Sequence, residues 1–115
     1  MEFVAASEHA LKIAKIAAQA AYDKKAENIV LLDVSEHLVI TDIFLIASAD
    51  NERQVGAIVD AIEAALDEID VDPIRREGNR EGRWVLLDYF DIVVHVQQDE
   101  ERSLYDLERL WSDCP

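Results

Sequence analysis

The sequence contains little of what nucleotide-binding, disulfide-bonded and membrane-spanning proteins require. Its three glycines, Gly56, Gly78 and Gly82, do not have the spacing of a phosphate loop or a dinucleotide-binding turn. Its single cysteine, Cys114, cannot form an internal disulfide, which fits a reducing cytoplasm. No apolar run approaches the roughly 18 residues of a membrane helix, and the N-terminal residues lack the basic region of a secretory signal. The sequence therefore predicts a cytoplasmic protein with no membrane contact.

Basic residues are also scarce. The chain has 11 Lys and Arg against 25 Asp and Glu, a formal net charge of −14. Such a surface repels phosphate backbones and attracts basic proteins, so little direct nucleic-acid contact is expected. The alternative is that the charge serves solubility alone. The only basic island is "RREGNREGR" at 75–83, which its two glycines mark as a loop or a ragged strand end.

The length of 115 residues predicts a single domain, residues 1–115, and the apolar half of the composition is enough for a core. Hydrophobic periodicity predicts helices at 5–22, 51–69 and 99–111, and strands at 29–34, 38–48, 84–88 and 91–98. The first two strands, joined by "SEH", are expected to form a hairpin. Asp50 or Asn51 is expected to cap the second helix, and Asp99 the last one. The pattern predicts an α+β or mixed α/β layer with helices against a sheet.

Each predicted helix has an apolar stripe at helical spacing, which is expected to face the core. The stripes are Leu11, Ala14, Ala18 and Ala21 or Tyr22 in the first helix, Val55, Ile58, Val59, Ile62, Ala65, Leu66 and Ile69 in the second, and Leu104, Leu107 and Trp111 in the last.

The pattern predicts no catalytic, metal-ligating or cofactor-binding residue. None of His9, His37 and His95 has a partner at metal-ligand spacing, and no serine lies in a glycine-flanked elbow. His95 is interpreted as a hydrogen-bonded histidine of the sheet. Trp84 opens a strand beside the basic island, and the sequence leaves it open between an interface anchor and a core residue.

Strand-end carboxylates are the remaining candidates for chemistry. Asp33, Asp42, Asp88 and Asp91 lie in or at the ends of predicted strands, where carboxylates can hold a divalent metal for phosphoryl transfer. Such sites also need phosphate donors from a glycine-rich turn or a helix start, and the best helix begins with the acidic "ADNER". The favoured interpretation of Asp88 is therefore an acceptor for N–H groups of a turn.

Four blocks of the sequence together resemble one family. They are "NIVLLDVSEHLVITDIFLIASADNERQV", "EG", "GRWVLLDYFDIVVHV" and "ERSLYDLERLW". In order and spacing they are similar to the Iojap family, also called ribosomal silencing factors, over about residues 5–112. The resemblance implies an α/β fold with a mixed sheet, shaped like that of nucleotidyltransferases, in a protein that is not an enzyme. It also implies homodimers for some members.

The resemblance further implies a partner and a function. Family members bind the large ribosomal subunit through its fourteenth protein, block joining of the small subunit and repress translation, and organellar relatives take part in large-subunit assembly. A basic ribosomal protein as partner reconciles the acidic surface with ribosome binding. The alternatives are an assembly factor and a metal-dependent nucleotidyltransferase. The expected contact residues are Trp84 as anchor, Leu86 and Tyr89 as apolar contacts, Asp88 and Asp91 as acceptors for partner Lys or Arg, and Asp42 with Thr41 as weaker candidates.

The sequence departs from the family pattern at two places. Phe90 stands in the turn between the last two strands where the family usually has Gly, and Phe tolerates a positive φ poorly. The segment "SADNER" stands where the family often has a serine- or threonine-rich "SG.S" segment. The expectation is a turn at Phe90 that is either altered or strained.

Overall fold

The structure, a computed structural model, describes residues 8–34, 41–78 and 83–104, without the side chains of residues 101, 103 and 104. Its elements are α1 (Glu8–Asp23), β1 (Glu27–Asp33), β2 (Ile43–Ala49), α2 (Glu52–Asp67), β3 (Arg75–Gly78), β4 (Trp84–Asp88), β5 (Ile92–Gln98) and α3 (Asp99–Leu104). The predicted stripe of the last helix, Leu104, Leu107 and Trp111, lies outside the described side chains. No helix among the described residues has both the length and the apolar character needed to cross a membrane.

The strands form one five-stranded mixed sheet in the order β1-β2-β5-β4-β3. The central pair, β2 and β5, is parallel, and the other three neighbouring pairs are antiparallel. These observations confirm the predicted class, a mixed sheet with helices packed on it, and the antiparallel pairing of the first two strands. The implied likeness to nucleotidyltransferases stays a prediction.

The second strand begins later than the sequence suggests. Asp33 pairs with Ile43, so the connection between β1 and β2 spans residues 34–42, well beyond "SEH". Residues 35–40 lie outside the described part of the chain. Thr41 and Asp42 precede β2, where the backbone N–H of Asp42 donates to the carbonyl of Asp91 (2.9 Å) just before β5. Asp42 and Asp91 are therefore held side by side at one end of the sheet.

Helix α2 matches its prediction closely. The side chain of Asn51 caps it, because Oδ1 accepts a hydrogen bond from the backbone N–H of Gln54 (2.9 Å) and satisfies one of the free donors of the first turn. The buried stripe is Val55, Ile58, Val59, Ile62 and Leu66. Ile69 lies beyond the helix end at Asp67 and is exposed.

Helix α1 confirms its predicted stripe in part, because Ala14 and Ala21 are buried and Ala18 is partly buried against the core. Leu11 and Tyr22 are 39% and 68% exposed. The buried face is Ala10, Ile13, Ala14, Ala17 and Ala21. Alanine occurs on every side of this helix, so hydrophobic spacing does not distinguish the faces. The large residues turned towards the core are Ile13, which is buried, and Ile16, which is partly buried. The small alanine side chains let α1 lie close to its neighbours.

One hydrophobic core joins helices α1 and α2 to one face of the sheet. The strands contribute alternate side chains to it, since successive residues of a strand point to opposite faces. These are Ile43 and Leu45 of β2, Ile92, Val94 and Val96 of β5, and Val85 and Leu87 of β4, followed by Tyr89. The side chains between them in β4 and β5 face away from α1 and α2, and that second face carries the candidate site.

A tight turn joins β4 to β5. Tyr89 donates its N–H to the carbonyl of Ile92 (2.9 Å), which leaves Phe90 and Asp91 as the two loop residues. Phe90 has φ 78° and its side chain is 54% exposed. A turn with positive φ at its first central residue ordinarily requires glycine there. The sequence predicted a turn at Phe90 that is either altered or strained. The structure has the strained turn, with a positive φ at Phe90.

Replacing Phe90 by glycine should stabilise the domain by about 1 kcal/mol. Relief of a left-handed Phe contributes roughly 1–2 kcal/mol, and the extra freedom of glycine in the unfolded chain costs ~0.4–1 kcal/mol. Urea unfolding measures the difference. Phe90→Ala is the matched control, because it removes the exposed ring but keeps the Cβ. A Phe90→Gly variant less stable than Phe90→Ala would show that the backbone at this position is not strained, because only the entropy cost of glycine would then remain.

Candidate docking site

The predicted contact residues within strand β4 all lie on one face of the sheet. Trp84, Leu86 and Asp88 are half-buried and alternate with the buried Val85 and Leu87. Because the buried pair belongs to the helix-side core, the other three lie on the opposite face of the sheet. We call the surface formed by Trp84, Leu86 and Asp88 of β4, with Glu77 and Gly78 of β3, the docking face.

A buried histidine holds the indole of Trp84. The Nε1–H of Trp84 donates a hydrogen bond to Nδ1 of His95 (3.1 Å), and the two rings are tilted with centroids 6.0 Å apart. On the other side, Phe44 of β2 packs edge-on against the imidazole at 5.1 Å. His95 is therefore the hydrogen-bonded sheet histidine that the sequence predicts, and Trp84 is fixed in orientation while part of its surface stays accessible.

The same hydrogen bond fixes the charge state of the imidazole. An indole N–H can only donate, so Nδ1 is the acceptor and the neutral ring carries its proton on Nε2. Burial lowers the pKa of His95 from 6.5 to about 4, because a charged ring loses its hydration there. Nε2 is buried without a hydrogen-bond partner among the described atoms. The support under Trp84 is thus an uncharged ring at neutral pH.

A shallow cleft lies beside Trp84. Its volume is about 280 Å³, and it is lined by Glu77, Gly78, Trp84 and Leu86. Gly78 makes the close pairing of β3 with β4 feasible here, because a Cβ at this position would lie 3.2 Å from both the Trp84 carbonyl oxygen and a methyl of Val85. The docking face therefore presents an apolar hollow with one carboxylate at its rim.

Asp88 is occupied within the chain. Its Oδ1 accepts the backbone N–H of Phe90 (3.0 Å), and its Oδ2 pairs with the guanidinium of Arg75 (3.2 Å). The first contact confirms the interpretation of Asp88 as a turn acceptor. The Arg75 pair means that a cationic partner group would have to compete with, or add to, an existing ion pair.

Two arginines of the basic island form ion pairs with carboxylates of the chain itself. Arg75 contacts Asp88 and Glu77, and Arg76 pairs with Glu63 of α2 (2.7 Å). Arg80 lies outside the described residues. Arg75 and Arg76 are exposed, but nearby carboxylates partly neutralise their charges. Such partial neutralisation weakens the attraction of these arginines for phosphate groups, as expected for a protein with little direct nucleic-acid contact.

The remaining predicted contacts lie elsewhere. Tyr89 is 5% exposed and packs in the helix-side core, so it is not beside Leu86 as expected. The two residues are three positions apart, and an odd offset along an extended chain places side chains on opposite faces. Thr41 is buried. Asp42 and Asp91 lie together at the end of the sheet, where Asp91 is also 3.8 Å from the exposed His9. The structure thus brings together Trp84, Leu86 and Asp88 and separates them from the others.

One acidic cluster was not predicted. Glu27, Asp50 and Asp99 have carboxylate oxygens within 4.8 Å of one another at the opposite end of the sheet. The charge of Asp50 and then that of Asp99 raise the pKa of Glu27, and a hydrogen bond with Asp99 raises the pKa of Asp50. The signal that would reveal the cluster is the parallel pairing of β2 with β5, which places the residues after both strands side by side.

Comparison with known proteins gives consistent matches. Residues 7–115 match the family model described as "Ribosomal silencing factor during starvation". A curated relative named ribosomal silencing factor RsfS, from Bacillus subtilis, is 46% identical over 103 residues, which cover 90% of this chain and 87% of the relative. A protein of Chromobacterium violaceum with a known crystal structure superposes with a TM-score of 0.85 at 37% identity, covering 89% of this chain and 85% of that one.

A more distant match carries a different name. A mouse protein named "Mitochondrial assembly of ribosomal large subunit protein 1" is 28% identical over 92 residues, which cover 77% of this chain and 40% of the mouse protein. The shared segment is therefore less than half of that longer chain.

Proposed function

Because the chain belongs to the family of ribosomal silencing factors, we propose that it binds the large ribosomal subunit through the docking face. The proposed contact is the fourteenth protein of that subunit, at the surface where the small subunit joins. Joining is then blocked sterically and translation is repressed, in the cytoplasm and without covalent chemistry. The observation that carries this proposal is Trp84, which is half-exposed beside an apolar cleft and held in place by His95.

The docking face has the features of a binding hot spot. Partly exposed tryptophans in preformed hollows contribute most to protein–protein binding, whereas charged residues at the rim mainly affect the association rate. Leu86 extends the apolar surface, and Asp88 with Glu77 places negative charge beside it. We propose that Asp91 and Asp42 steer a basic partner from the end of the sheet and that Tyr89 supports β4 from behind.

The net charge of the chain favours contact with ribosomal protein over contact with rRNA. A net charge of −14 opposes contact with rRNA and favours a basic ribosomal protein. The intrachain pairs of Arg75 and Arg76 leave little free positive charge on β3 to offset that repulsion. The proposed contact is therefore protein to protein.

A role in large-subunit assembly is the second candidate, and the name of the mouse relative favours it. It uses the same docking face and differs in the particle that is bound. A nucleotidyltransferase activity is the less supported alternative, since Asp88, its main carboxylate candidate, is engaged by Arg75 and Phe90. Homodimer formation stays a prediction; Leu31 on the edge strand β1 is an exposed apolar residue available for it.

Sedimentation with purified ribosomal subunits tests the function. We expect the protein to comigrate with the large subunit, not with the small one, and to reduce the formation of joined particles in proportion to its occupancy. Failure to comigrate would contradict the proposal. Incorporation of label from a nucleotide in the presence of Mg²⁺, lost in Asp88→Asn, would instead establish the enzyme. Comigration only with precursor particles would favour the assembly role.

A further inference from the structure

Phe90 is strained in its backbone and exposed in its side chain. Its φ of 78° lies in the left-handed region, and the residue is 54% exposed. Among the described residues, the other non-glycine residues with positive φ are Lys25, Asn28 and Asp70. Lys25 and Asp70 follow helix ends, where a left-handed residue is common, and asparagine tolerates this region well. A bulky phenylalanine in a hairpin turn has neither explanation and is a genuine outlier.

The phenyl ring does not contribute to the core. Phe90 belongs neither to the buried cluster on the helix side nor to the partly buried apolar residues packed against it. A glycine would form the same turn without strain, so the fold alone gives no reason for an aromatic side chain at this position. Strained backbone positions cluster at functional sites. The exposed ring therefore lowers the stability of the domain and indicates a role outside it.

The turn that carries Phe90 continues the docking face. Asp88 belongs to that face, and its Oδ1 accepts the backbone N–H of Phe90 at 3.0 Å. Leu86 and Trp84 follow Asp88 at every second position back along β4. The chain spans about 20 Å from Phe90 to Trp84 at ~3.3 Å per residue. One partner surface of ordinary size, about 800 Å², can therefore reach both residues.

Carboxylates flank the phenyl ring in and beside the turn. Asp88 precedes it and Asp91 follows it, and the backbone N–H of Asp42 donates to the carbonyl oxygen of Asp91 at 2.9 Å. Arg75 and the exposed His9 offset part of this charge, at 3.2 Å from Asp88 and 3.8 Å from Asp91. An apolar group with an acidic rim complements a basic protein surface and repels phosphate. A second copy of this chain, with its own charge of −14, matches it poorly.

We propose that Phe90 is a second apolar anchor for the basic ribosomal protein that the docking face binds. This role rests on the proposed function and adds a contact at the turn to the one at Trp84. The ring packs against apolar groups of the partner, while basic groups of the partner approach Asp91 and Asp42. Two anchors, one at each end of β4, fix the orientation of the partner, which a single anchor does not.

Binding of the labelled protein to purified large ribosomal subunits tests this role. Phe90→Ala and Phe90→Gly both remove the ring, and each should weaken binding about fivefold to tenfold, mainly through faster dissociation. Glycine relieves the strain whereas alanine keeps it, so weaker binding by the more stable Phe90→Gly variant cannot come from unfolding. Phe90→Leu keeps an apolar side chain and should weaken binding only about twofold. Tyr22→Ala removes an exposed aromatic of α1 and should bind as the wild type does.

Three outcomes would overturn the anchor role of Phe90. Unchanged binding by both ringless variants, while Trp84→Ala weakens binding, would remove Phe90 from the interface and leave the proposed function intact. Unchanged subunit binding together with altered self-association of Phe90→Ala, measured by sedimentation equilibrium, would assign the ring to a contact between copies of this chain. Absence of wild-type binding to the large subunit would contradict the proposed function itself and the anchor role with it.

Discussion

Replacing Trp84 by alanine is expected to weaken binding to the large ribosomal subunit about 30-fold while the domain stays folded. A well-packed aromatic anchor contributes ~2 kcal/mol or more to a protein interface, and each 1.4 kcal/mol corresponds to a factor of ten. Trp84 is half-buried, lies at the end of β4 and is absent from the helix-side core, so its loss leaves that core intact. Binding of labelled protein to purified large subunits measures the change.

Two further variants serve as controls for the Trp84→Ala result. Trp84→Phe keeps an aromatic ring but removes the N–H that His95 accepts, so we expect an intermediate loss of affinity. Tyr22→Ala removes an exposed aromatic of α1, far from the docking face, and should leave subunit binding unchanged. If Trp84→Ala unfolds the domain, Trp84 is a core residue and the anchor assignment is wrong. Unchanged affinity in a folded Trp84→Ala variant would contradict the docking face itself.

Acidification from pH 7 to pH 4 is expected to cost the domain about 3 kcal/mol of stability through His95 alone. Its pKa is lowered from 6.5 in the unfolded chain to about 4 in the fold, and one pKa unit corresponds to ~1.4 kcal/mol. The unfolded chain therefore binds this proton more readily than the folded one. The stability contribution is complete above pH 6.5 and is lost as the pH falls towards 4.

Urea unfolding across this pH range, with His95→Asn as the comparison, measures the effect. Asparagine keeps an acceptor for the Trp84 N–H but cannot titrate, so its stability should fall less steeply with acid. His9→Asn, at an exposed histidine, should follow the wild-type curve. Glu27 and Asp50 have raised pKa values and act in the opposite direction, but they are common to all three proteins. Parallel curves for wild type and His95→Asn would show that the imidazole is not buried as described.

The sequence predicted an element correctly where its local pattern of apolar and capping residues was distinctive. Helix α2 has large apolar residues on one face only and a capping asparagine, so its cap is confirmed and five of the seven predicted stripe residues are buried. Ile69, beyond the helix end, is exposed. Helix α1 has alanine on every side, so spacing alone misplaced Leu11 and could not choose between Ala21, which is buried, and Tyr22, which is exposed. The late start of β2 depends on a hydrogen bond between Asp42 and Asp91, residues far apart in the chain, which no local pattern reveals.

The candidate site was predictable in part. A two-residue turn at Phe90 and Asp91 fixes the register of the last hairpin, which pairs Leu86 with His95 and Trp84 with Gln97. The predicted strands end at 88 and begin at 91, which would make Tyr89 and Phe90 the turn, one residue earlier than observed. The observed turn places Trp84 and His95 as diagonal neighbours on one face and Tyr89 on the other. The acidic cluster was not predictable, because it depends on how separate elements meet in space.

The edge strand β3 has a consequence for how partners approach the molecule. An unpaired strand edge can recruit a strand from another chain, which leads to aggregation or to binding by backbone pairing. This strand is only four residues long, it is exposed throughout, and it carries two arginines and a glutamate. Such a short, charged border is a poor template for a foreign strand. Recognition on this side of the molecule must then rely on side chains. Copies of the protein in the cell also do not readily extend one another's sheets at β3, which limits aggregation by strand pairing.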